Sequence, residues 1–252
     1  MNAALPRLGR LLLAALLLAA SAAAAEREAP APAGDPSGRW SKQGSSLVLY
    51  DSSGTIVSEI PLSRSENPSS AGVAVSRTEG GASADGRFAW TFEKNTVWNA
   101  SKTVRRREDR VLRYYGTSGM ELWSLPGADA PPHGDPVALS SSGETVVVGV
   151  LKKDGSWTAA ARTFVGTTVW ETEAKGLLSL SLTPEGRYAL IRWSELDTSA
   201  THSFVELATG NRKDIPSDEF ILGAARFDDD GKVFSGSRLL HDFKKAAAPD
   251  QP

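Results

Sequence analysis

Glycine placement constrains this chain more than any other feature. Four stretches repeat one pattern, in which a small polar or acidic residue leads through a turn glycine into an apolar strand. They are Ser83-Ala84-Asp85-Gly86-Arg87-Phe88-Ala89-Trp90, Ser141-Ser142-Gly143-Glu144-Thr145-Val146-Val147, Pro184-Glu185-Gly186-Arg187-Tyr188-Ala189-Leu190 and Asp229-Asp230-Gly231-Lys232-Val233-Phe234. Their glycines are 57, 43 and 45 residues apart. A second hairpin pattern interleaves with the first, its turn glycines at Gly54, Gly119, Gly166 and Gly210. Glycine supplies the positive φ that tight hairpin turns need, and Asp or Ser before it hydrogen-bonds the turn backbone. The flanks are rich in Val, Ile, Tyr, Phe, Trp and Thr, which suit a pleated surface. Phe88, Trp90 and Phe92 alternate with Arg87, Ala89, Thr91 and Glu93, as in a strand with two distinct faces. Val146-Val147-Val148 is continuous, as in a strand covered on both faces. No stretch after the leader carries a sustained helical period. The chain is expected to be all-β.

Two alternating hairpins in roughly 45 residues make one four-stranded blade, the period of a β-propeller. Three blades are expected at about 71–126, 135–174 and 177–216. The chain opens with a hairpin of the second kind (47–62) and closes with one of the first kind (about 222–240). Pairing of these two would build a fourth blade from both ends of the chain and cover its open edges. An irregular fifth blade, an open arc, two chains joining into a larger ring, and a β-sandwich are the alternatives.

Thr183-Pro184-Glu185-Gly186-Arg187-Tyr188-Ala189 and Ser83-Ala84-Asp85-Gly86-Arg87-Phe88-Ala89 resemble the repeats of WD40-like propellers of bacterial envelopes, the TolB type. The Ser142-Gly143-Glu144 copy lacks the Pro and the acid before the glycine, and the Trp-Asp pair of true WD40 repeats is absent. Hairpins such as Gly119-Met120-Glu121-Leu122-Trp123 resemble quinoprotein-like propellers instead. The resemblance spans roughly residues 45 to 240 and implies a propeller fold.

Residues 1–25 read as a secretory signal. Arg7 and Arg10 precede the apolar core Leu11–Ala20, and Ala23 and Ala25 suit cleavage before Glu26. The apolar run is shorter than the roughly 20 residues of a membrane-spanning helix, so no transmembrane segment is expected after cleavage. Residues 26–39, with three prolines, read as a flexible linker. Residues 40–244 read as the folded domain and 245–252 as a disordered tail. The expected location is periplasmic or secreted, in a bacterium. With no cysteine, the chain cannot carry an N-terminal lipid anchor, a disulfide, a catalytic thiolate or a cysteine-bound metal.

Twenty-eight Lys and Arg against thirty Asp and Glu leave a net charge of −2, a balance not built for nucleic acid. His133, His202 and His241 are widely separated and read as exposed loop residues. Asp228-Asp229-Asp230-Gly231 suggests a calcium loop, but the twelve-residue pattern fails at Arg226 and Ser237, so a hairpin turn is the expectation. No nucleophile elbow or phosphate-binding glycine loop occurs. No catalytic residue, metal or cofactor is therefore assigned. The strongest local charge cluster is Arg105-Arg106-Arg107, a candidate contact for an anionic partner; the bland alternative is a solvated hairpin tip self-paired with Glu108 and Asp109. Trp98 and Trp157 lie outside the best strand positions and are the candidate exposed aromatics, whereas Trp90, Trp123, Trp170 and Trp193 read as packing between blades. These features favour a non-enzymatic binding or scaffold module for a protein or envelope component. A small propeller enzyme, such as a metal-dependent hydrolase or lactonase, is the alternative. Oligomeric state stays open at this point. Expression in a bacterial host should yield an exported chain beginning at Glu26 or within a few residues of it. Terminal sequencing of that fraction checks this, and an intact Met1 refutes the signal.

Overall fold

The computed structural model describes residues 38–174, 176–194, 200–220 and 225–246. The signal, most of the linker and most of the tail lie outside these. The described chain is five antiparallel sheets in succession. The first has β1 (Arg39–Gln43), β2 (Ser46–Tyr50) and β3 (Ile56–Pro61). The second runs β4 (Arg64–Ser69), β5 (Gly72–Ala82), β6 (Ala89–Trp98), β7 (Arg105–Tyr115), β8 (Glu121–Pro126). The third holds β9 (Val137–Leu139), β10 (Thr145–Leu151), β11 (Trp157–Thr163) and β12 (Thr168–Ala174). The fourth holds β13 (Leu177–Leu182), β14 (Tyr188–Trp193), β15 (Thr201–Glu206) and β16 (Arg212–Pro216). The last has β17 (Ala225–Phe227), β18 (Lys232–Ser235) and β19 (Arg238–Asp242), followed by one helical turn, α1 (Phe243–Ala246).

Each sheet packs on the next. Trp40, Leu47 and Leu49 of the first meet Ala89 of the second. Phe88, Phe92, Leu112 and Tyr114 meet Val146, Val148 and Ala160 of the third. Val147, Ala159 and Ala161 meet Leu177, Ala189, Ile191 and Val205 of the fourth. Tyr188, Phe204 and Ile215 meet Val233 and Phe243. Val147 thus faces one neighbour while Val146 and Val148 face the other, because successive strand side chains point to opposite faces. This accounts for the unbroken apolar run. A sandwich has one interface between two sheets; here there are four, the layout of propeller-like repeats.

Three copies of the repeated turn share one side-chain hydrogen bond, and the fourth replaces it with a carboxylate. Ser83, Ser140 and Thr183 each use the hydroxyl to accept the N–H five residues on, from Phe88 (3.1 Å), Thr145 (3.1 Å) and Tyr188 (3.3 Å). In the fourth copy Asp228 Oδ1 accepts the N–H of Lys232 at 2.9 Å, which bears out the hairpin reading of the acidic run. The turn glycines have φ of +72 to +78 and lie against the preceding sheet. A Cβ on Gly86 would stand 2.9 Å from the Trp40 carbonyl oxygen, on Gly143 2.7 Å from Phe88, on Gly186 2.8 Å from Thr145 and on Gly231 2.6 Å from the Tyr188 hydroxyl.

The third and fourth sheets match the blades expected at 135–174 and 177–216. The ends differ. Hairpins 47–62 and 222–240 do not share a sheet among the described residues; each gains a third strand of its own, β1 and β19. β1 is too polar (RWSKQ) to show as a strand, and its Gly44-Ser45 turn, with Gly44 at φ +57, folds it onto β2. The second sheet likewise gains β4 (RSENPS), which carries no apolar side chain but Pro68. The series therefore has five sheets rather than four, and closure through a common terminal sheet is not seen.

Gly143→Ala should lose about 2–4 kcal/mol, left-handed strain plus overpacking. Gly155→Ala, at φ +86 with nothing within 4 Å of its Cβ position, should lose only about 1–2 kcal/mol. Urea midpoints compare the two; equal losses would mean that the turn is not packed on its neighbour.

Candidate functional site: a cationic ribbon on the second sheet

The strands β5, β6 and β7 have 11, 10 and 11 residues, against 7 in β10 and β11. The extra length lies beyond the packed stack and explains why Gly86 and Gly143 are 57 residues apart. β4 pairs only with the far half of β5, from Arg64↔Arg77 to Ser69↔Gly72. The resulting ribbon, 64–77 and 94–110, carries Arg64, Arg77, Lys94, Lys102, Arg105, Arg106, Arg107 and Arg110 against Glu66, Glu108 and Asp109. Eight cations and three acids stand on a chain whose net charge is −2.

Register arranges these charges. Arg64 is opposite Arg77, Arg77 opposite Lys94, and Lys94 opposite Arg110, one row of four cations across four adjacent strands. Directly opposed like charges destabilise a sheet, so this row needs compensation. At its β7 end it has that. Glu108 and Asp129, whose side chains are only 8% and 11% exposed, lie among Lys94, Arg105 and Arg110. Arg110 Nε donates to Glu108 Oε1 at 2.6 Å and its guanidinium meets Asp129 at 2.8 Å. Lys94 lies 3.7 Å from Glu108 and 3.6 Å from Asp129. Burial alone would raise the Glu108 carboxyl; the hydrogen bond from Arg110 and the charges of Lys94 and Arg110 outweigh it and hold the carboxyl below its ordinary 4.5.

The other end is less compensated. Arg64, Arg77, Lys94 and Lys102 surround a groove of about 370 Å3 floored by Val75 and Thr96, with Trp98 at one end. Its lining contains a single acid, Glu66, which pairs with Lys102. Arg77 pairs with Glu79. Arg64 has no ion pair or hydrogen bond among the described residues.

Sequence reasoning anticipated only part of this. Trp98 lines the groove, and Arg105, opposite it in register, is tied to Glu108 at 2.7 Å. Arg106 donates to the Ala71 carbonyl at 3.1 Å, and Arg107 pairs with Asp109 at 2.6 Å. The triplet is therefore divided among three partners, two of them the self-pairing acids that the bland reading named. Trp157 is not an exposed aromatic. It is 9% exposed, within the core shared by the third and fourth sheets, because Gly149 leaves room beside its ring. Arg64, Arg77, Lys94 and Asp129 escaped notice because nothing local in the sequence connects them.

The histidines also divide. His133 is exposed as expected. His202 is 5% exposed, its ring 4.6 Å from that of Phe220 and its Nδ1 3.1 Å from Ser217 Oγ. Burial, then the charge of Arg192, lowers its pKa. His241 is half-buried against Phe243. Among the described residues no three His, Asp or Glu side chains are placed to hold a metal ion. A larger cavity of about 660 Å3, where the β1–β2 turn meets β5 and β9, offers Lys42, Glu79, Asp135, the Gly80-Gly81 backbone and Trp90. Trp90 and Trp123 pack in the core between the second and third sheets, and Trp170 and Trp193 in the next, as expected.

The chain matches no family model and no curated protein. Similar solved structures include the β-propeller domain of the Trilobed protease from Pyrococcus furiosus, described as having an open velcro topology (11% identity, TM-score 0.36, 50% of this chain and 40% of that one). The Dos1 propeller (8%, 0.34, 75% and 70%) and an oligogalacturonate lyase in complex with manganese (9%, 0.36, 78% and 69%) are others. The chain thus spans less than half of the protease domain.

Glu108→Gln should lower stability at pH 7 by about 1–3 kcal/mol, since it strips the buried counter-charge from three cations. A carboxyl depressed on folding stabilises above its unfolded pKa and loses that contribution as pH falls through the folded value. The gap between wild type and E108Q in denaturant melts should therefore be full above about pH 4.5 and close below it. A gap independent of pH would contradict this.

Proposed function

We propose that this chain is an exported bacterial propeller-like module of the TolB-resembling kind, without enzymatic activity, that binds a protein or envelope component through the ribbon of the second sheet. The row Arg64–Arg77–Lys94–Arg110 carries the reading. A fold seldom keeps like charges opposed across neighbouring strands for its own stability, and such local conflicts concentrate at functional sites. The far half of the ribbon also lies outside the packed stack, and Arg64 there is exposed with no ion pair among the described residues, so it can meet a partner. Among the described residues no helix is long and apolar enough to cross a membrane.

The enzyme alternative would use the 660 Å3 cavity. Its lining supplies two carboxylates, Glu79 and Asp135, and no histidine, and Glu79 already pairs with Arg77. That donor set does not fit a hydrolytic metal centre, which takes three or four protein ligands.

The test is co-sedimentation of the purified mature chain with vesicles of bacterial envelope membrane. Binding should fall steeply between about 0.1 M and about 1 M salt, as screening shortens from about 10 Å to about 3 Å. Arg64→Ala combined with Arg77→Ala should weaken it at least tenfold while leaving thermal unfolding unchanged or slightly raised. Full retention of binding in that variant would refute the ribbon as the contact surface.

A further inference from the structure

The groove geometry points to a site for a phosphate monoester carried on a sugar ring, as in a phosphorylated saccharide headgroup, and we propose that ligand class. The inference rests on the reading of the ribbon as a recognition surface and specifies its chemistry. Four cations from three strands and one turn line the groove with one acid, Glu66, while Glu79, Glu108 and Asp129 meet Arg77 and Lys94 from outside the lining. Neighbouring strands stand about 4.8 Å apart, so the charges of Arg64, Arg77 and Lys94 can surround one compact group. A phosphate monoester carries close to two negative charges and three acceptor oxygens that radiate in different directions. A carboxylate carries one charge in a plane and is satisfied by a single arginine fork. The first matches cations converging from several strands; the second calls for one arginine fork and would not use that convergence.

Four further observations bear on the site. Arg64 is exposed and has no partner among the described residues, so its guanidinium is available without breaking a bond. Lys94 is held by its acids at 3.6 and 3.7 Å, close enough to fix its charge and long enough to leave its donors for a ligand. Lys102 is the only described residue other than glycine with positive φ, at +55. The Asn99 side chain holds that turn, accepting the N–H groups of Thr103 (2.8 Å) and Val104 (3.1 Å). Glycine or asparagine would occupy this backbone at lower cost, and a lysine there brings its ammonium to the groove. Trp98, half-buried at the end of the groove, has no aromatic or cationic partner among the described residues, which leaves its ring to stack on the apolar face of a sugar.

Calorimetry on the full mature chain tests this with four probes: glucose 6-phosphate, inorganic phosphate, glucose and glucuronate. Glucose 6-phosphate should bind at least tenfold more tightly than inorganic phosphate and than glucuronate, and glucose should not bind. Arg64→Ala and Arg77→Ala should each weaken glucose 6-phosphate about tenfold without lowering the melting temperature. Trp98→Ala should bring glucose 6-phosphate down to the level of inorganic phosphate, and Arg107→Ala should change neither. Glucuronate binding as tightly as glucose 6-phosphate, or an Arg107→Ala loss equal to that of Arg64→Ala, would overturn the phosphate site. Equal affinity for glucose 6-phosphate and inorganic phosphate would overturn the sugar. Envelope binding that needs Arg64 and Arg77 but is not displaced by glucose 6-phosphate would sink this inference and leave the recognition surface standing. Envelope binding indifferent to both arginines would remove the two together.

Discussion

Close approach at the turn glycines sets the spacing of the whole stack. In each repeat the glycine that reverses the chain also lies where a Cβ would strike the sheet before it. The backbone then completes the junction. Trp40 N–H donates to the Gly86 carbonyl, Asp85 N–H to Ser141, Ser141 N–H to Pro184, and Glu185 N–H to the Asp229 carboxylate. The four turns form one connected line from sheet to sheet. Aromatic side chains add polar links across the same interfaces. Trp40 Nε1 donates to the Gly116 carbonyl at 2.8 Å, and the Tyr114 hydroxyl donates to the Gly143 carbonyl at 2.6 Å. Burial of Tyr114 raises its pKa, so the hydroxyl stays a donor throughout the physiological range.

With spacing fixed this way, strands such as β10 and β14 are covered on both faces along most of their length and are mainly apolar there. The ribbon escapes that demand. The stack against the third sheet is filled by Phe88, just before β6, and by the near halves of β6 and β7, through Trp90, Phe92, Leu112 and Tyr114. Their far halves extend past it and are free to carry charge. The cation row is bearable there because water screens its β4 end and two buried acids neutralise its β7 end. Asp129 is instructive, since it comes from the connection to the third sheet and meets Lys94 and Arg110 of the second. The polar ribbon is thus tied to the neighbouring blade through charge rather than through apolar contact.

What could be read from the sequence follows from these constraints. The turn motifs and the sheets at 135–174 and 177–216 were legible because their inner strands, such as β10 and β15, are buried on both faces, and that leaves an apolar record. β1, β4 and β19 left none. They are edge strands whose ladder bonds come from the backbone, and RWSKQ, RSENPS and RLLHD carry too few inward side chains to betray a strand. Trp157 was misjudged for the opposite reason. Its burial depends on the missing side chain of Gly149, eight positions away, which no local pattern announces.

The site was harder still, because charge clustering along the chain is a poor guide to clustering in a sheet. Arg105, Arg106 and Arg107 are consecutive, and a strand sends consecutive side chains to opposite faces. The bulge between Val97 and Trp98 divides them further. Arg64, Arg77, Lys94 and Arg110 are separated by 13, 17 and 16 positions and become neighbours only when the hairpin registers are known. A shift of one residue in any of those registers would turn part of the row to the other face. The turns that fix register are therefore also what builds the row, and the glycines and asparagine in them shape the surface chemistry of the ribbon without touching any ligand.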